Sequence, residues 1–259
     1  LHGAQETPAR KKGKRDQAAV FHRKLWNIGR RSRMPFGMQQ GRQRTAWTRR
    51  TLAGLAALGL LLLCTARAGA DGPAERTLVF FGDSLCAGYG LADPDIQSFP
   101  ALVRRRIEAG HLPWKVINAG LNGETSAGGL RRIDWVLRQH VDVLVLELGG
   151  NDGLRGTQTD VTRANLQAII ERVRSAYPAA RIVLAGIRMP ASMGQDYAEA
   201  FRRIYPDLAA KNGLILIPFL LEGVATVPEL NQGDGIHPNA RGAEIVADTV
   251  WKALTPLLN

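Results

Sequence analysis

Cysteine is almost absent from this chain: two in 259 residues, too few for the disulfide framework on which small exported domains rely. Long apolar runs are missing too. The best candidate, Thr51–Leu63 (TLAGLAALGLLLL), is well short of the roughly 20 residues a membrane-spanning helix needs. Acidic residues are scarce at one end only. Residues 1–70 hold 15 of the 34 Lys and Arg but only 2 of the 23 Asp and Glu, whereas residues 71–259 hold 19 and 21. The formal charge of +11 therefore belongs to the leader, and the remainder carries a net of −2. A uniformly basic, groove-binding protein is excluded. Histidine is sparse, and His2 and His22 fall in the leader, which leaves His111, His140 and His237. No second His or Cys cluster stands at ligand spacing, so neither a metal site nor a cofactor is expected.

What the leader does contain reads as an export signal. Arg42, Arg44, Arg49 and Arg50 precede the apolar run 51–63, and Ala66-Arg67-Ala68 and Ala68-Gly69-Ala70 follow it as small-x-small cleavage sites. The expected division is a disordered upstream extension over 1–33, a signal segment over 34–70 cleaved near Ala70, and a globular domain over 71–259. The mature protein would be exported to the periplasm or secreted, with no stable membrane insertion. A basic arm over residues 1–50 that touches RNA or anionic lipid is the competing reading. The pattern around Cys64 makes a poor lipobox, and Arg49-Arg50 only brushes the twin-Arg pattern.

Over the last 189 residues, short apolar runs alternate with amphipathic stretches. Leu78–Phe81, Lys115–Asn118, Asp142–Leu148, Arg181–Ile187 and Leu214–Ile217 read as five buried strands. Phe99–Ala109, Gly129–His140, Thr159–Ala176, Tyr197–Lys211 and Asn239–Leu258 read as helices. That alternation predicts an α/β fold, a five-stranded parallel sheet between two helical layers. Ligands of such sheets bind outside the carboxyl ends of the strands.

Chemistry-bearing residues fall at those ends. Phe81–Gly88 (FGDSLCAG) places Ser84 after the first strand, where a helix begins and exposed N–H groups favour negative charge. It is neither a phosphate loop nor the Gly-x-Ser-x-Gly elbow of α/β-hydrolases. A plain turn with Ser84 as helix cap is the bland alternative. Gly120 follows the second strand and reads as a turn or a close backbone approach. Gly149-Gly150-Asn151-Asp152 follows the third, where Asn151 is a turn residue or an amide donor. Asp234-Gly235-Ile236-His237 precedes the last helix, with a carboxylate three residues before an imidazole that it can orient. His111 and His140 read as surface residues. Asp83 and Asp152 read as turn-shaping, and Cys86 as a small buried side chain.

Taken together, Gly82-Asp83-Ser84-Leu85, Gly120, Gly149-Gly150-Asn151-Asp152 and Asp234-Gly235-Ile236-His237 resemble the four blocks of the SGNH (GDSL) hydrolase superfamily. Over about residues 76–258 the chain is similar to its periplasmic thioesterase I, lysophospholipase and arylesterase branch. The resemblance implies Ser84 as nucleophile, His237 as general base and acid, and Asp234 as the orienting carboxylate. It implies an oxyanion hole formed by the Ser84 and Gly120 N–H groups and the Asn151 amide. It further implies small-molecule acyl esters or thioesters as substrates and no nucleic-acid partner; oligomeric state is not legible. Gly153, Leu154, Ile187, Arg188, Met189 and Phe219 are the expected substrate-binding residues. A carbohydrate O-deacetylase and a non-catalytic lipid-binding protein are the alternatives.

Overall fold

The computed structural model describes residues 74–258. The extension over 1–33, the signal segment over 34–70 with its apolar run 51–63, and the cleavage site near Ala70 lie outside the described residues.

Five strands form one sheet: β1 (Arg76–Gly82), β2 (Trp114–Asn118), β3 (Val143–Glu147), β4 (Arg181–Ala185) and β5 (Ile215–Ile217). All four pairings are parallel, in the order β2-β1-β3-β4-β5. The expected five-stranded α/β architecture is the one found. Every residue of β3 is buried, as a central strand covered on both faces requires.

The helices are α1 (Ser84–Ala87), α2 (Pro94–Gln97), α3 (Phe99–Ala109), α4 (Ser126–Val136), α5 (Gly150–Leu154), α6 (Thr159–Ala176), α7 (Gln195–Asn212) and α8 (Ala240–Leu258). The chain moves one way along the sheet from β1 to β2, then the other way through β3, β4 and β5. Right-handed crossovers therefore send α3 to one face and α4, α6 and α7 to the other. The packing agrees, since α3 lies against α8 while α4, α6 and α7 pack in succession. Phe99, Val103 and Ile107 of α3 and Val246, Val250 and Leu254 of α8 are buried in the core.

Most boundaries shift from the sequence expectation, and three of the differences have a clear local reason. Helix α4 begins at Ser126 rather than Gly129 because Thr125 caps it, its Oγ1 accepting from Gly128 N at 3.1 Å. Strand β4 stops at Ala185 because Gly186 passes against the next connection, where a Cβ would sit 2.5 Å from the Pro218 carbonyl oxygen. The segment after β3 is not a bare turn: Gly149, at φ 115°, leads directly into α5.

Candidate active site

Strand order reverses at β1, so the connections leaving β1, β2 and β3 diverge at one end of the sheet. Such a switch point opens a crevice. Ser84 follows β1 as the first residue of α1 and is half-buried. Asp83 caps that helix, its Oδ1 accepting from Leu85 N at 3.0 Å. The Ser84 N–H, at the helix start, makes no hydrogen bond to the described residues.

The loop before α8 brings His237 to Ser84. His237 Nε2 lies 2.9 Å from Ser84 Oγ, and Nδ1 lies 2.6 Å from Asp234 Oδ2. Asp234 also folds its own loop, because Oδ1 accepts the N–H of Ile236 at 2.9 Å and of His237 at 3.0 Å. Partial burial works to raise the Asp234 carboxyl. The His237 N–H, the imidazole and the Ile236 N–H outweigh it and hold the group at about 2. With Asp234 ionised, Nδ1 carries the proton and Nε2 faces Ser84 as an acceptor. The Tyr89 ring covers the imidazole, with centroids 4.8 Å apart.

Asn151 enters from α5. Its Nδ2 donates to Asp83 Oδ2 and to the Glu124 carbonyl, both at 3.0 Å. Gly120 approaches from the β2 connection, where a Cβ would sit 2.4 Å from Ala87 N, and only glycine fits. Its N–H donates to Asn118 Oδ1 at 3.0 Å, and Asn118 Nδ2 in turn holds the Cys86 carbonyl at 2.8 Å. Of the three expected oxyanion donors, one is therefore free and two are engaged in this state. Such contacts commonly rearrange when substrate binds.

Behind Ser84 lie two further acids. Burial raises Asp83 to about 6, against the lowering influence of the Leu85 N–H and the Asn151 amide. Glu147 is fully buried and is pushed well above the usual carboxylate range, first by burial and then by Asp83. Cys86 is fully buried as expected, and burial first, with the neighbouring acids behind it, raises its thiol far from the thiolate state. Asp152 does more than shape a turn. Its carboxylate takes the Ser126 N–H at 2.7 Å and the Ser126 hydroxyl at 2.6 Å, tying α5 to α4.

A cleft of about 720 Å³ opens over Ser84, within the range of small-molecule sites. Leu154, Ile187, Arg188, Met189 and Phe219 line it, as expected, together with Leu221 from the same run as Phe219, and so do Ala225 and Ile236, which the sequence did not single out. Arg188 stacks over the Phe219 ring at 4.6 Å. Gly153 lies beneath the lining: a Cβ there would fall 2.3 Å from Met189 Sδ, so it supports the wall through Met189. His111 and His140 are exposed. Among the described residues, no group of three or more His, Cys, Asp and Glu is placed to hold a metal ion.

Comparisons with known proteins point the same way. Residues 80–245 match the model of the GDSL-like Lipase/Acylhydrolase family. The chain is 42% identical over 203 residues to thioesterase 1/protease 1/lysophospholipase L1 of Escherichia coli K12, covering 78% of this chain and 92% of that protein. It is 40% identical over 186 residues to esterase TesA of Pseudomonas aeruginosa, covering 71% and 90%. A crystal structure of TesA superposes with a TM-score of 0.67 at 39% identity, covering 71% of this chain and all of the other. This chain belongs to the GDSL-like lipase and acylhydrolase family.

Proposed function

We propose that the protein hydrolyses acyl esters and thioesters through an acyl-Ser84 intermediate. The observation that carries this reading is the unbroken line from Asp234 through His237 to Ser84, at 2.6 and 2.9 Å, on the floor of an apolar cleft. Ser84 Oγ attacks the acyl carbon while its proton passes to His237 Nε2. Asp234 stabilises the resulting imidazolium through Nδ1–H. The tetrahedral intermediate expels an alkoxide or thiolate, which takes the proton from Nε2. Water then attacks the acyl-serine, giving its proton to the same nitrogen, and Ser84 is regenerated as the carboxylic acid leaves.

The oxyanion develops beside the Ser84 N–H, which is unengaged. Recruiting Gly120 N–H and the Asn151 amide requires each to share or surrender a present bond, to Asn118 and to the Glu124 carbonyl. The apolar lining favours an acyl chain over a sugar, with Leu154, Ile187, Met189, Phe219 and Leu221 as groove residues. The esterase, thioesterase and lysophospholipase names of the relatives agree with such substrates.

Turnover of p-nitrophenyl esters from acetyl to palmitoyl, with palmitoyl-CoA alongside, tests the reading in wild type and Ser84→Ala. Rates that rise beyond butyryl and vanish in the variant support it. Activity confined to acetyl esters favours the deacetylase alternative, and undiminished activity in the variant overturns the acyl-serine route.

We also place the working enzyme outside the inner membrane. The basic, apolar and small-residue segments over 42–70 support this. No helix among the described residues is long and apolar enough to cross a membrane. Intact mass of the exported protein checks it: a chain beginning near Asp71 is expected, and retention of residues 1–50 would return the basic-arm reading.

A further inference from the structure

Asp83 is gripped from two sides by one segment. Glu147 and Asn151 both belong to the end of β3 and the start of α5. Glu147 Oε2 accepts the Asp83 backbone N–H at 3.0 Å, and Asn151 Nδ2 donates to the Asp83 carboxylate, also at 3.0 Å. Gly82 makes this grip possible. It pairs with Glu147 across the sheet, and a Cβ there would fall 2.3 Å from Glu147 Oε2 and 2.4 Å from Cys86 Sγ. The acyl-transfer steps use none of the Glu147 side chain. Its other oxygen, Oε1, is buried with no hydrogen-bond partner, an uncommon arrangement that calls for a reason.

The charge around Glu147 is one-sided. Among the described residues no lysine or arginine forms an ion pair with it, because Arg132, on the Phe81 side, is held by Glu124 and the Ala119 carbonyl. The titratable groups facing it are Asp83, the Cys86 thiol and the Tyr205 hydroxyl, which donates to the Leu148 carbonyl at 3.1 Å. Asp152 and His237 lie further out, acting on Tyr205 and Asp83. Two adjacent buried acids cannot both ionise without a cation, so one keeps its proton. Asp83 carries donors from Leu85 and Asn151, and a side-chain hydrogen bond with Glu147 favours its anion. Glu147 meets the Asp83 N–H and the Cys86 thiol and N–H, yet it is the more deeply buried and is pushed further up by that burial. The charge therefore belongs on Asp83 and the proton on Glu147.

We infer that Glu147 is a positioning residue for acyl transfer: as the neutral acid it fixes the Asp83 backbone beneath Ser84 and leaves Asp83 as the single carboxylate that holds the Asn151 amide. The link rests on Asn151 serving the oxyanion, as proposed above. Asn151 is half-buried at the cleft wall, and its amide gains a fixed direction only if Asp83 is itself immobile. A donor misaimed by a fraction of an ångström loses much of its value in the transition state and little in the ground state.

Two variants of the full chain test this, with p-nitrophenyl butyrate as substrate. Glu147→Gln keeps the shape, the neutrality and the acceptor for Asp83 N–H. It should keep kcat within about twofold and leave the pH–rate profile in place. A displaced acid limb, or a large loss, means the native residue is charged and overturns the inference. Glu147→Met removes the acceptor; kcat should fall ~10-fold at unchanged KM. Added to Asn151→Ala, it should cost nothing more, because the group it positions is already gone. Losses that multiply in the double variant, or a Met variant at the wild-type rate, overturn the link. Should the Met variant fail to fold by circular dichroism, the Gln profile alone decides. Full activity in Ser84→Ala would remove the acyl-enzyme reading and this link together, whereas an inactive Ser84→Ala beside a failed cycle removes only the link.

Discussion

The Ser84–His237 pair stands between two carboxylate environments built in opposite ways. On the loop side, Asp234 is exposed, accepts two backbone N–H groups and the imidazole, and is held at about 2. On the sheet side, Asp83 and Glu147 are buried side by side; Asp83 is raised to about 6 and Glu147 well above the usual range. The functional group is the same, and the surroundings decide whether it is a permanent anion or a proton holder. The loop carboxylate can stabilise an imidazolium because it never needs a proton. The sheet carboxyls hold geometry, and a second full charge there would oppose the oxyanion.

Breaking the loop side should cost most. Ser84→Ala, which removes the proposed nucleophile, is expected to lower kcat by roughly 10⁴-fold or more, measured on a short p-nitrophenyl ester. Asp234→Asn should cost about 10³–10⁴-fold by misassigning the imidazole tautomer, with the fold retained by circular dichroism. Asn151→Ala, on the boundary between the two environments, should lose ~10²–10³ in kcat with the fold intact. Wild-type turnover by a well-folded Asn151→Ala would remove it from the oxyanion hole.

The smallest effect sharpens the contrast through pH and stability. Asp83 holds its proton more tightly folded than unfolded, so the folded state is relatively favoured below its ordinary value of 3.8, and that advantage is lost as pH rises through about 6. Asp234 runs the other way: its contribution is present above 3.8 and is lost as pH falls toward about 2. The Tm of Asp83→Asn, relative to wild type, should therefore become more favourable from pH 4 to pH 7. Asp234→Asn should be relatively worst at pH 7 and approach wild type only in strong acid. Parallel curves for the two variants would contradict the distinction.

Much of this was legible in the sequence, and what was not depended on tertiary contacts. The strands were readable because a sheet covered on both faces needs continuous apolar runs, and α3 and α6 begin and end where their periodicity does. Ser84, Asp234 and His237 were readable because their local spacing already constrains the chemistry. Glu147 was passed over as part of a buried run, although a single acid ending Val143–Glu147 (VLVLE) was a signal in itself. The partners of Asn151 were not legible, since Asp83 and Glu124 meet it only once the strand ends converge, whereas Asn118 lies two residues before Gly120 and was a local partner passed over. Gly153 was assigned to the groove surface, but its missing Cβ serves Met189 one layer below.

The most direct test of the central claim is to label the protein with a p-nitrophenyl alkylphosphonate and map the modified peptide by mass spectrometry. A phosphonate mimics the tetrahedral intermediate and traps the residue that His237 activates. One adduct per chain, on Ser84, formed in step with loss of ester hydrolysis, is the predicted result. Complete inactivation with Ser84 unmodified, or full labelling of Ser84 with hydrolysis undiminished, would contradict it.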